Sequence, residues 1–338
     1  MLNATHVGSL PKPGWLAETE KLWPEWRLGG NALEAAKERA AAEWVRHQMD
    51  AGIDIVTNGE QFRIHFVHGF LEQINGIDWE QKTPMGIRDN RYTVDVPTVT
   101  GPVSRPRSVH LNEVRFSRKQ TSRQLKFTLP GPMTICDTIA DVHYNSRPDM
   151  AMAFADILNA EAQELVAAGV DVIQFDEPAF IVFMDDVREW GVAALHRAIE
   201  GLQCTTAVHI CYGYGIDENL RWKNTLGDEW RQYEEIFPVL NDSRIDQISL
   251  ECANSRVPHS LMGLLTKKEL MVGVVAVTPD RVETPEETAA VIEAAMEFVD
   301  PERLIPSSNC GMAPVPYDIA VGKLQSIAAG AALVRDRL

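Results

Sequence analysis

No apolar run in the chain approaches the roughly 20 residues needed to cross a bilayer, and the opening MLNATHVGSLPKP lacks the basic start and apolar stretch of a secretory leader. A cytoplasmic protein without a membrane partner is expected. Cysteine is scarce: Cys136, Cys204, Cys211, Cys252 and Cys310 are odd in number and widely spread, which argues against a disulfide framework and leaves some thiols free to hold a metal. Basic charge is in deficit, with 32 Lys and Arg against 48 Asp and Glu for a net charge of -16. Without a basic face, no nucleic-acid partner is expected. Internal repeats and low-complexity linkers are also lacking.

What is present fits a soluble globular enzyme. Apolar residues make up 45% and charged residues 24%, leaving little room for extended disorder. A chain of 338 residues can be one barrel or two small domains. Patterning favours the barrel. Short β-branched runs at Ala4–Val7, Ile53–Thr57, Leu125–Leu129, Val170–Phe175, Thr205–Ile210, Ile245–Leu250, Leu270–Val275 and Arg303–Pro306 read as strands. Helical patterns fall between them at Leu33–Ala51, Asp149–Ala168, Gly191–Gly201, Thr284–Phe298 and Tyr317–Arg335. The sequence Thr284-Pro285-Glu286-Glu287 opens one of these helices with a cap residue, a proline and two acids. Eight alternations predict an α/β fold of the (β/α)8 TIM-barrel type, with residues 1–338 as a single domain. Residues 61–124 are too long for a plain connection. With the alternating run Arg91–Val103 and the turn-rich Thr100-Gly101-Pro102, they predict a β-hairpin and helix inserted after the second strand.

One strand ends in His209-Ile210-Cys211. Residues two apart on a strand face the same way, so His209 and Cys211 can reach one ion. Such a pair is also compatible with core packing. Glu251 directly follows the next apolar run, and the last strand leads to Cys310. In a barrel the C-terminal strand ends converge on one mouth, so His209, Cys211, Glu251 and Cys310 are candidate ligands for tetrahedral zinc. A surface salt bridge for Glu251 and simple burial for Cys310 remain the alternatives.

At these residues the chain resembles the catalytic barrel of cobalamin-independent methionine synthase. Short markers stand in that family's order: His6-Val7-Gly8-Ser9, Asn58-Gly59-Glu60, Val103-Ser104-Arg105-Pro106, Pro130-Gly131-Pro132-Met133-Thr134, Asp176-Glu177-Pro178-Ala179, His209-Ile210-Cys211, Ile248-Ser249-Leu250-Glu251 and Asn309-Cys310-Gly311. The resemblance implies zinc on His209, Cys211, Glu251 and Cys310, and methyl transfer to the thiol of homocysteine. It also implies that Ser9, with the backbone at Val7 and Gly8, and the acids Glu60 and Asp176 hold the amino acid end. Two carboxylates suit an ammonium group, and a Gly-Ser turn offers donors to a carboxylate. The likeness is to a core-type member containing only the catalytic half.

The departures concern the methyl donor. A family tryptophan that stacks on folate falls on Thr138, a folate-binding glutamate on Val182, and the proton-donating histidine on Thr278. The leaving amine of methyltetrahydrofolate needs a proton, so the expected donor is not ordinary methyltetrahydrofolate but a methyl-corrinoid or a protein-delivered methyl. His6, His65 and His68 are candidates to replace the missing acid. Two further readings are a zinc-dependent alkyltransferase acting on another small thiol and a non-catalytic zinc- or thiol-binding barrel.

Overall fold

The computed structural model describes residues 1–21 and 23–338. The strands, in chain order, are β1 (Ile55–Val56), β2 (Asn75–Ile87), β3 (Tyr92–Ser104), β4 (Gln124–Pro130), β5 (Ala140–Asp141), β6 (Val172–Asp176), β7 (Thr205–His209), β8 (Gln247–Glu251), β9 (Glu269–Val275) and β10 (Leu304–Ser308). Seven of them form one parallel sheet in the order β1-β4-β6-β7-β8-β9-β10. The sheet is curled: both edge strands reach the same N-terminal segment, where Ile55 N–H donates to Ala4 O at 3.1 Å and Thr5 N–H to Pro306 O at 2.9 Å.

Strand periodicity fills the inside. Ile55, Val172, Ala207, Met271 and Ile305 come from five strands and form a small apolar cluster separate from the main core, as expected when alternate residues share a face. The main core lies between the sheet and the helices, with Phe127, Phe175, Leu158 and Leu324 among its members. Those helices include Gly30–Ala51, Arg147–Ala167, Pro285–Met296 and Tyr317–Arg335. Local chemistry sets their starts. Ser146 accepts the Asp149 amide, and Thr284 and Glu287 form a reciprocal capping box. Among the described residues no helix is long and apolar enough to cross a membrane.

Several expectations are corrected. Ala4–Val7 is not a strand, because side chains intercept the amides at its two ends: Ala4 N–H donates to Asp54 and Val7 N–H to Ser308. The strand expected over Ile53–Thr57 shrinks to Ile55–Val56, since Gln48 takes the amides at both ends, Ile53 by its carbonyl and Thr57 by its side chain. The helix expected over Gly191–Gly201 is Val192–Ala198, preceded by a π-turn at Val187–Gly191. Thr100-Gly101-Pro102 lies within β3. The β2–β3 turn falls at Arg88, Asp89 and Asn90, with φ of 53°, 54° and 61°; Asp and Asn are among the few non-glycine residues that accept this region readily. These two long strands pair antiparallel, and β3 pairs with β5 in a second, three-stranded sheet.

Candidate active site

The C-terminal ends of β7 and β10 bring three side chains together. One ligand atom each of His209, Cys211 and Cys310 lies within 4.8 Å of the others, and the two Sγ atoms are 3.3 Å apart. His209 Nδ1 is fixed by Ser249 Oγ at 2.8 Å, while its Nε2 is buried without a hydrogen-bond partner. Glu251 ends β8 beside this cluster but is not among the three. Its Oε2 accepts the Tyr212 amide at 3.1 Å, its Oε1 is buried without a hydrogen bond, and Lys223 Nζ stands 3.6 Å from that oxygen. Burial pushes the Glu251 carboxyl up to about 7. The Cys310 thiol donates toward Cys211, which holds Cys211 well below the usual thiol range and Cys310 above it. Two sulfurs, an imidazole whose other nitrogen is oriented, and an adjacent carboxylate with an orphaned oxygen fit the donor chemistry of zinc.

Of the amino acid clamp expected from the sequence, Val7, Ser9, Glu60 and Asp176 line the same cavity, whereas Gly8 and the expected ligand Glu251 do not border it. Val7, Ser9, Glu60, Asp176, His209, Cys211 and Cys310 all border a space of about 170 Å³. Glu60 is buried, not an exposed loop acid. It takes a left-handed φ of 58° after Gly59, and Thr128 Oγ1 donates to its Oε1 at 2.7 Å. Gly8 makes this approach possible, because a Cβ there would overlap Thr128. Asp176 closes β6, accepts Gln174 Nε2 at 2.7 Å, and is pushed up to about 7 by burial, with Glu60 adding to the rise. Val7, whose backbone was expected to hold the substrate, has its amide taken by Ser308 Oγ and its carbonyl by Gln174 Nε2. The amides of Gly8 and Ser9 have no hydrogen-bond acceptor among the described residues.

The cavity is also bordered by residues the sequence did not single out: Lys12, Trp23, Arg88, Arg91, Tyr92 and Tyr214. The β2–β3 connection supplies Arg88 and Arg91, and Tyr92 opens β3, so the polar Arg88-Asp89-Asn90 triplet before the alternating run was the available clue. Arg88 is tied to Asp137, and the Arg91 guanidinium lies 3.2 Å from the centre of the Trp222 ring. Thr138 and His65 also border the cavity; Val182 and Thr278 do not. The His65 ring stacks on Trp23 at 4.5 Å, and its Nδ1 accepts the amides of Val67 and His68. His6 is corrected as a candidate acid. It is buried between Gln48 and Thr57, and desolvation pushes it down to about 3.

The sequence of residues 2–332 matches the model of one family, the catalytic domain of the cobalamin-independent synthase. The chain belongs to this family. A methionine synthase of Sulfolobus acidocaldarius is 31% identical, covering 100% of this chain and 94% of that one. A solved B12-independent methionine synthase from Shewanella sp. W3-18-1, in complex with selenomethionine, is 54% identical with a TM-score of 0.97, covering 100% and 98% of the two chains. A putative vitamin-B12 independent methionine synthase from Listeria monocytogenes shares the fold, at 19% identity and a TM-score of 0.69. As a cobalamin-independent synthase, the chain is a methyltransferase.

Proposed function

We propose that this enzyme forms methionine by methyl transfer to the thiol of homocysteine, working in the cytoplasm with zinc at His209, Cys211, Glu251 and Cys310. One observation carries the reading. A single cavity joins the His-Cys-Cys cluster to two carboxylates, Glu60 and Asp176, and to the turn holding the free amides of Gly8 and Ser9. The selenomethionine in the Shewanella relative supports the same acceptor. Residues 1–338 are taken as one (β/α)8 barrel, with the segment at Ala4–Val7 as its eighth stave and 61–124 inserted.

In this reading the Gly8 and Ser9 amides, with Ser9 Oγ, donate to the substrate carboxylate, and Glu60 and Asp176 accept from its ammonium. Burial and the neighbouring Glu60 raise Asp176, and a bound cation draws it back to the ionised form. A free thiol is mostly protonated at neutral pH; bound zinc would supply the Lewis acidity that makes it a thiolate. Ser249 keeps the imidazole of His209 in one orientation. The methyl donor is not ordinary methyltetrahydrofolate, because the family's stacking ring, carboxylate and proton donor are replaced by Thr138, Val182 and Thr278. A methyl-corrinoid, or a methyl delivered by another protein, needs none of the three. A thiol acceptor without an amino acid end would leave Glu60 and Asp176 with no cation to bind, which favours homocysteine.

The test is methionine formation by zinc-loaded protein and homocysteine, with methylcobalamin and methyltetrahydrofolate offered separately. Turnover with methylcobalamin alone is expected. Equal turnover with methyltetrahydrofolate would overturn the donor assignment, and methylation of other small thiols in preference to homocysteine would overturn the acceptor.

A further inference from the structure

Lys126 is a buried cation that the chemistry above does not use. It sits on β4 inside the curled sheet, 1% exposed, and forms no ion pair among the described residues. Its Nζ donates to His6 O at 2.6 Å and lies 3.8 Å from Met271 Sδ. On the neighbouring strand β6, Gln174 Nε2 donates to the next carbonyl, Val7 O, at 2.9 Å. Two side chains from adjacent strands thus hold two successive carbonyls of the His6–Ser9 turn.

The geometry of the peptide unit gives this grip a consequence. In a trans peptide the C=O and the following N–H point in opposite directions, so a carbonyl held on one side directs the next amide to the other. Lys126 on His6 O turns the Val7 amide toward Ser308 Oγ, which accepts it at 3.1 Å. Gln174 on Val7 O turns the Gly8 amide away from Gln174, where no group among the described residues accepts it. Ser308 Oγ in turn donates to Cys310 O at 2.8 Å, so the same peptide plane ties the turn to the cysteine cluster. A buried ammonium with no carboxylate in contact is expensive to maintain, and burial pushes Lys126 down to about 7 against the opposing pull of the Asp176 carboxylate. A methionine would pack there without that penalty.

We propose that Lys126 is a positioning residue for the amino acid end of the substrate: through the His6 carbonyl it fixes the first peptide plane of the turn, from which the next two, held by Gln174 on Val7 O and by Thr57 Oγ1 on Gly8 O at 3.0 Å, present the Gly8 and Ser9 amides. The inference rests on the proposed clamp. Its test is Lys126→Met in the full-length, metal-loaded enzyme, with methionine binding measured by calorimetry and homocysteine kinetics by product formation. The expected result is a Kd for methionine and a KM for homocysteine each raised about tenfold, in line with losing one charge-assisted hydrogen bond. The kcat at saturation and the zinc content stay close to those of the parent. A lysine with a merely structural role would change the melting temperature and leave KM alone, and that outcome overturns the inference. Should Lys126→Met fail to fold, Lys126→Gln serves, since its amide is one bond shorter and falls short of the carbonyl; a parental Kd in that variant overturns the inference equally. Asp176→Asn, measured alongside, separates the two levels: if it too binds methionine as the parent does, the clamp itself is overturned.

Discussion

Gly311 and Ser9 pack so closely that a Cβ at position 311 would overlap Ser9 Oγ, while the Met312 amide donates to Ser9 O at 2.8 Å. The loop after β10 therefore shapes the turn on which the substrate carboxylate is proposed to rest. Gly311→Ala should displace the Ser9 hydroxyl and raise the KM for homocysteine about tenfold, with a stability loss of about 1 kcal/mol because the hydroxyl can rotate away. Steady-state kinetics and urea melts check both. An unchanged KM would take Ser9 out of the clamp.

Cys310→Ser should leave the barrel folded and strip it of metal. The residue stands at the mouth formed by the C-terminal strand ends, where substitution affects chemistry more than stability. Methyl transfer is expected to fall more than about 100-fold, beyond the range for losing a group that only orients a ligand. Zinc analysis and circular dichroism on one sample test the claim; full activity would refute the ligand assignment.

Asp176→Asn should raise the homocysteine requirement about tenfold with zinc retained, since it removes one acceptor facing the ammonium and leaves the cysteines in place. Initial rates across homocysteine concentrations, together with metal content, provide the measurement.

Gly131→Ala should destabilise the fold by about 1–3 kcal/mol. A Cβ there would overlap the Glu177 side chain, which is held by Met133 N–H at 3.0 Å, Thr134 N–H at 2.8 Å and Thr134 Oγ1 at 2.7 Å. The buried carboxylate cannot move without losing those three donors. A fall in the urea midpoint with unchanged slope is the expected signature.

Lys126 also makes a pH prediction. Its amine is held near 7 in the folded protein against 10.5 for an ordinary lysine. As pH falls from about 10 toward 7 the unfolded chain takes up this proton before the folded one does, so the parent loses stability relative to Lys126→Met across that window. The relative shift should be on the order of a few kcal/mol and should level off below pH 7. Urea melts of the two proteins between pH 7 and 9 suffice, and parallel curves would show that the amine titrates normally.

Much of this protein is legible in its sequence because local rules act on it directly. Short β-branched apolar runs identify β4, β6, β7, β8, β9 and β10 to within a few residues. The reciprocal cap at Thr284 and Glu287 follows from residue type and spacing alone. His209 and Cys211 are two apart at the end of a strand and so face the same way. The candidate site is thus written largely in short, collinear motifs.

Other features depend on contacts between residues far apart in the chain. Ala4–Val7 has a strand's sequence, yet Asp54 and Ser308 take the amides at its two ends, and only single backbone bonds at Ala4 O and Thr5 N–H join it to the edge strands β1 and β10. Glu60 is placed against the cavity by Thr128, which donates to it, and by the missing side chain of Gly8, neither of which is near it in sequence. Lys126 carries no motif at all; its grip on His6 O spans 120 positions of sequence. The outer wall of the cavity arises because a hairpin turn at Arg88–Asn90 folds back over strand ends more than a hundred residues later in the chain. Sequence periodicity sets which way each strand residue faces, but only closure of the sheet decides which of those residues meet.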